Sequence, residues 1–248
     1  MQSTADNLAA ERAGTLLATY AGLDGGALLR PILTREFAGR IAVVSSFGTE
    51  SALLLALVAE IDPSVPVLFL DTGKHFGETL RHRDRLVRQL GLQDVRAIKP
   101  DPGSLAEHDP QGVLWAADPD GCCRIRKVAP LQWAVSGFAA WITGRKRFQG
   151  GQRGELATIE ASDDKVKINP LATWSRAAVE AALEARGLPR HPLEADGFLS
   201  IGCMPCTERV VPGADTRSGR WAGTGKVECG IHLPQPQPLA AALAAAGD

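Results

Sequence analysis

"IAVVSSFGTESALLLALVAEIDPSVPVLFLDTG", residues 41–73, decides the fold. "IAVVSS" (41–46) is a short apolar, β-branched run ending in small polar residues, the pattern of a buried strand entering a turn. "SALLLALVAEI" (51–61) reads as the helix that follows, and "VPVLFLDTG" (65–73) as a second buried strand with its own turn. Strand, helix and strand in succession indicate a parallel α/β sheet with crossover connections.

The pattern continues outward. "ETLRHRDRLVRQLG" (78–91) reads as a helix stopped by Gly91, with its basic run 81–88 on the surface, and "DVRAIKP" as a third short strand. "AAWITG" (139–144), "LATIEA" (156–161) and "KINPL" (167–171) read as further strands, and "TWSRAAVEAALEARG" (173–187) as a capped helix closed by Gly187. Residues 5–38 have helical spacing interrupted at Gly25-Gly26. After Gly202 the periodicity ends and the chain becomes rich in glycine, proline and charge. The expected organisation is an N-terminal helical segment (1–40), an α/β nucleotide-binding domain (41–202) built on an open, mostly parallel sheet with helices on both faces, and a mobile, cysteine-containing tail (203–248). Together these make one domain.

The 248 residues allow a sizeable core. With 45% hydrophobic and 22% charged residues and a formal net charge of −1, the chain has no broad nucleic-acid surface, so any anion site is local. The N-terminus lacks a basic segment followed by an apolar one, and the longest apolar run, "ALLLALVA" (52–59), is far shorter than the ~20 residues of a membrane span. The expected setting is the cytoplasm. Five cysteines in a reducing compartment are metal ligands or reactive thiols rather than a disulfide framework.

"SSFGTES" (45–51) lies where a strand turns into a helix. Small residues there let backbone N–H groups approach an anion, and the helix N-terminus adds partial positive charge. An ordinary turn capped by Thr49 is the competing reading. "DTGKHFGET" (71–79) follows the second strand at the same sheet end: Asp71 and Thr72 are candidates to hydrogen-bond a sugar or base, and Gly73 permits close approach. A capped helix start explains that segment almost as well.

"GCCRIRKVAPL" (121–131) and "IGCMPCT" (201–207) supply four thiols, Cys122, Cys123, Cys203 and Cys206. Four thiolates suit Zn²⁺ or an iron–sulfur cluster. Adjacent cysteines on a helix point about 100° apart, which suits a bulky cluster better than a compact ion. Cys229, in "KVECGIH", stands beside Lys226, Glu228 and His232. A thiol among cations is a candidate nucleophile, and nearby glycines supply a hinge. Basic residues recur close by: Arg124, Arg126 and Lys127, "RKR" (145–147) with Arg153, and Arg217 with Arg220. Around a phosphate or phosphosulfate such groups make charge-assisted, partly bidentate contacts.

Taken in order from about residue 40 to residue 232, "SSFGTES", "LDTGKHFGET", "GCCRIRKVAPL", "WITGRKR", "IGCMPCT" and "KVECGIH" resemble the assimilatory adenylyl-sulfate reductases of the sulfonucleotide reductase family. The resemblance implies an adenine-nucleotide α-hydrolase-like fold, a 4Fe–4S cluster on Cys122, Cys123, Cys203 and Cys206, and Cys229 as nucleophile. It implies thioredoxin-dependent reduction of adenosine 5′-phosphosulfate to sulfite and AMP through a Cys229 S-sulfo intermediate. Lys127, Arg153, Arg217, Arg220 and His232 would line the phosphosulfate, and Ser45, Ser46, Gly48, Thr49, Glu50 and Ser51 would hold the nucleotide. Lys146 stands where the family usually has arginine. The rival readings are a reductase of the 3′-phosphorylated sulfonucleotide, an ATP-consuming thiolation enzyme, and a non-catalytic nucleotide sensor with structural zinc. A homo-oligomer remains open.

Overall fold

The computed structural model describes residues 4–233. In chain order the elements are α1 (Thr4–Thr19), α2 (Gly25–Pro31), β1 (Ile41–Val44), α3 (Ser51–Ala59), β2 (Val67–Leu70), α4 (Gly77–Leu90), β3 (Val95–Ile98) and α5 (Pro102–His108). Then follow α6 (Leu114–Ala117), α7 (Pro119–Cys123), α8 (Ala129–Val135), β4 (Ala140–Ile142), β5 (Ile159–Ser162), β6 (Lys165–Ile168) and α9 (Arg176–Ala185). The six strands form one sheet in the order β3-β2-β1-β4-β6-β5. All pairings are parallel except β5 with β6.

Alternation along the strands divides the core. Ile41, Val43, Val67 and Phe69 face one side, where α1, α2, α3, α4 and α9 pack. Ala42, Leu68, Leu70 and Trp141 face the other, under Leu131 and Val135 of α8. Helix α3 is buried from Ala52 to Val58, which explains why its sequence is apolar all round. Glycines in the left-handed region end two helices, Gly91 (φ 64°) after α4 and Gly187 (φ 55°) after α9, and the Ser175 side chain caps α9 by accepting from Ala178 N at 3.1 Å. No helix among the described residues is long and apolar enough to cross a membrane.

One surface expectation is corrected. Within 81–88, Arg81 is exposed, but His82 and Leu86 are buried, because they lie four residues apart on the stripe of α4 that meets the core.

Between α7 and α8 the helix widens into a π turn, Arg124–Val128. Pro130 offers no N–H to the Arg126 carbonyl and crowds that turn, so the widening has a local cause. The described part of the tail is folded on itself, Glu208 N donating to Gly219 O at 2.7 Å and Trp221 N to Cys206 O at 3.1 Å, and is tied to the body where Val210 N donates to Gly197 O at 2.9 Å.

Candidate active site

The chain leaves β1 toward β2 on one side and reaches β4 on the other, so the topological switch point lies between β1 and β4. Ligands of open α/β sheets bind beyond the strand ends at such a point. A cavity of about 210 Å³ sits there. One wall is the β1–α3 turn, with Ser45, Ser46, Gly48, Thr49, Glu50 and Ser51 all lining it. Within this turn Phe47 adopts φ 50° while fully buried against Phe69 (ring centroids 5.6 Å apart), and its N–H donates to Ser45 Oγ at 3.2 Å. A phenylalanine in the left-handed region is strained, and the buried ring is what holds it. Thr49 is not the cap of α3: Glu50 occupies the N-cap position without a side-chain cap bond, and the Thr49 hydroxyl donates to Leu199 O at 3.4 Å. Ser51 N–H, the first of α3, donates to Gly48 O at 3.1 Å, and no side chain caps the helix start, which leaves its partial positive charge available to an anion at the cavity edge.

The opposite wall follows β4. Thr143, Gly144, Arg145, Lys146 and Gln149 line it; the sequence offers Arg145 and Lys146, within "RKR", as anion contacts but gives no sign of Thr143, Gly144 or Gln149. Lys146 is 2% exposed and donates to Glu50 Oε2 at 2.7 Å and Gly144 O at 2.9 Å. Burial pulls its pKa below the usual lysine value, and Glu50 opposes the pull. Gln149 Nε2 donates to the same carboxylate oxygen at 3.0 Å.

At the far end Lys127, Arg153, Arg217, Arg220, His232 and Cys229 come together on the cavity. Glu228 is paired with Arg153 at 2.8 Å and Arg217 at 3.2 Å. His232 stacks on Trp141 (centroids 5.9 Å, planes 4° apart), and its Nδ1 has no hydrogen-bond partner. Burial holds its imidazole well below the ordinary value, with Arg145, Lys167, Arg153 and Arg217 adding to the effect, so the ring is neutral at pH 7. Burial would lower the Lys127 pKa, but interaction with the sulfurs of Cys203, Cys229 and Cys123 more than offsets this and raises it. Lys127 thus lies near Cys229 and near two of the other cysteines.

The remaining four cysteines gather beside this end as free thiols. Asp118 caps α7 by accepting from Gly121 N at 2.8 Å, which fixes the turn carrying Cys122 and Cys123. The 203–206 turn is pinned to the β2 turn by Met204 N to Lys74 O at 2.7 Å, and Thr72 Oγ1 lies 3.3 Å from Cys203 Sγ. Asp71, Thr72 and Gly73 are not among the residues that line the cavity; of the three, Thr72 meets a cysteine, and its carbonyl accepts from buried Arg126 at 2.8 Å. Burial pushes Cys123 up to about 12 and also raises Cys122 and Cys206. Burial acts the same way on Cys203, but Lys127, the Thr72 hydroxyl and Arg220 outweigh it and lower its pKa. Cys122 lies near enough to feel Cys203 and Cys206, Cys206 feels Cys203, and Cys123 feels Cys229 and Cys203. Among the described residues no group of three His, Cys, Asp or Glu side chains has the spacing of ligands to a single ion.

Residues 40–209 match the family model described as the phosphoadenosine phosphosulfate reductase domain. An adenosine 5′-phosphosulfate reductase of Mesorhizobium japonicum is 50% identical over 228 residues, 92% of this chain and 89% of that protein. One from Chelativorans sp. is 52% identical over 201 residues, 81% of this chain and 82% of that protein. A phosphoadenosine 5′-phosphosulfate reductase of Gloeobacter violaceus is 40% identical over 203 residues, 80% and 84% of the two chains. Among solved structures, the phosphate complex of phosphoadenylyl-sulfate reductase from Candida auris superposes with a TM-score of 0.65 at 26% identity, covering 81% of this chain and 97% of that one. Yeast FAD synthetase reaches 0.51 at 16% identity over 82% of this chain and 75% of its own, a likeness of fold alone. With the sheet order, these two carry the expected adenine-nucleotide α-hydrolase-like fold.

Proposed function

The chain belongs to the phosphoadenosine phosphosulfate reductase domain family, and on that premise we propose that it reduces adenosine 5′-phosphosulfate to sulfite and AMP in sulfate assimilation, with thioredoxin as reductant in the cytoplasm. The observation that carries the reading is the meeting of Cys229, Lys127 and Arg217 at one end of a cavity whose other end is the uncapped N-terminus of α3. Lys127 and Arg217 both lie close enough to Cys229 for their charges to act on it.

The chemistry follows from charge. A thiolate must approach a sulfur whose three terminal oxygens share a negative charge, so cations have to offset the repulsion. Lys127, Arg217 and Arg220 supply them, while neutral His232 contributes hydrogen bonding rather than charge. The Cys229 thiolate attacks the sulfur, the S–O bond breaks with its electron pair left on the AMP phosphate, and an S-sulfo cysteine forms. A thioredoxin thiolate then attacks the Cys229 sulfur and expels sulfite; the second thioredoxin thiol displaces Cys229 from the mixed disulfide. The dithiol supplies both electrons.

Cys122, Cys123, Cys203 and Cys206 fit a 4Fe–4S cluster by donor chemistry: four thiols on two segments, without disulfides. When bound, such a cluster would be held by these four residues, would tie α7 to the 203–206 turn and would supply a redox-capable, thiolate-ligated centre near Lys127.

The test is to measure sulfite release from each sulfonucleotide with reduced thioredoxin. The form without a 3′-phosphate is expected to have the higher kcat/KM; preference for the 3′-phosphorylated form would reassign the substrate. Without reductant, one equivalent of AMP and an S-sulfo adduct on Cys229 are expected, and neither from Cys229→Ser. An adduct on another cysteine would remove Cys229 from its role.

A further inference from the structure

Two glutamates bracket the cavity, Glu50 at the start of α3 and Glu228 next to Cys229, and a single amide joins their partners. Gln149 Nε2 donates to Glu50 Oε2 at 3.0 Å. Its Oε1 accepts from Arg153 Nη1, and also from Lys146 N at 3.3 Å, which fixes the amide's orientation. Arg153 Nε in turn donates to Glu228 Oε1 at 2.8 Å. The result is an unbroken chain, Glu50–Gln149–Arg153–Glu228, from the β1–α3 turn to the residue before the proposed nucleophile. Every link is charge-assisted and largely shielded from water.

The chemistry of position 149 is restrictive. It must donate to a carboxylate on one side and accept from a guanidinium on the other, which an amide does with its two ends. A glutamate there would face Glu50 with like charge, a lysine or arginine would face Arg153, and an apolar residue would break both links.

We infer that Gln149 is a positioning residue that couples occupancy of the β1–α3 turn to the placement of Cys229, acting through Arg153 and Glu228. This rests on the nucleotide reading above. An anion seated at the α3 N-terminus draws on the cations that hold Glu50, namely Lys146 at 2.7 Å and Arg176 at 4.0 Å. Glu50 then relies more on Gln149. The shift of that amide carries Arg153, and with it Glu228 and the adjoining Cys229.

The experiment uses the full chain as purified with its metal content. The rate of Cys229 alkylation by iodoacetamide is followed by mass spectrometry of the tail peptide, with and without saturating AMP; labelled AMP in equilibrium dialysis establishes saturation. In the unsubstituted protein AMP is expected to slow alkylation about fivefold or more, and Gln149→Leu or Glu228→Gln to shrink the effect below about twofold, with the double variant no worse than either single one. Gln149→Glu, of the same size, is expected to do the same and serves if the leucine variant does not fold. Three results would overturn the coupling: an undiminished AMP response in the Gln149 variants, additive losses in the double variant, or AMP bound by the unsubstituted protein without any change at Cys229. Failure of the unsubstituted protein to bind AMP would instead remove the nucleotide reading, and the coupling with it.

Discussion

Gly202 shows how much one absent side chain decides. A Cβ there would stand 2.3 Å from Arg220 Nη2 and 2.5 Å from its Cζ, so glycine is what lets the guanidinium lie against the chain, 4.3 Å over the Trp221 ring and on the cavity. The clash is with the far end of a flexible side chain, so an alanine moves Arg220 rather than the backbone. Gly202→Ala is therefore expected to change thermal stability by less than about 1 kcal/mol. The same variant should raise KM about tenfold, through the loss of one charge-assisted contact worth about 1.4 kcal/mol. Steady-state kinetics beside a melting curve separates the two effects; an unchanged KM, or a collapse in stability, would show that Arg220 does not depend on this space.

At the scale of elements, α4 is latched to the turn at 191–194 by two buried imidazoles. The ring centroids of His82 and His191 lie 5.0 Å apart, Thr79 Oγ1 bonds His191 Nε2 at 3.0 Å, and His82 Nε2 has no partner among the described residues. Burial lowers both pKa values to about 4, with Arg85 adding to the effect on His82 and His82 adding to that on His191. The unfolded chain, with imidazoles near 6.5, takes up protons first as pH falls. The stability contributed by the neutral rings is thus complete above pH 6.5 and lost between about 6.5 and 4, at most about 3 kcal/mol per ring. His82→Leu should leave stability at pH 7 nearly unchanged, because no hydrogen bond is lost, and should remove about half of the acid-induced fall. Denaturant titrations at pH 7, 5.5 and 4.5 check this; an equally steep acid loss in the variant would place the titration elsewhere. Such burial was hidden in the sequence, since a histidine in "RHRDRLVR" looks solvated until tertiary packing selects the face shared with Leu86. By contrast, β1, α3 and β2 were legible because their apolar runs are continuous and their turns carry small residues. Of the wall from Thr143 to Gln149, Arg145 and Lys146 were legible by type, but its place opposite the β1–α3 turn was not, because strand order depends on pairings between residues about 100 apart, such as Ile41 with Ala140. The cysteines and the cationic residues were legible by type and spacing. That Thr72 meets Cys203 instead of lining the cavity depends on how β2 sits under the 203–206 turn, which no local pattern encodes.

For the whole molecule, the sheet organises everything else: its central strands are closed on both faces, and the switch point between β1 and β4 gathers four distant segments round one cavity. Its margins are a different matter. Strand β5 pairs with β6 on one side, and among the described residues no other strand pairs with it. Helix α1 packs along β5 and β6, turning Ala9, Ala13 and Leu16 inward. An unprotected strand edge is a template for another copy's backbone, and α1, lying against β5 and β6, is expected to hinder such pairing as well as to cover one face of the sheet. A chain shortened by α1 should keep its parallel strands yet form concentration-dependent aggregates, visible by light scattering and size exclusion. A shortened chain that stays dispersed as readily as the full one would refute this. The first segment of the sequence, remote from the chemistry, would then owe its place to colloidal behaviour, and an assembly of intact chains would have to use some surface other than the β5 edge.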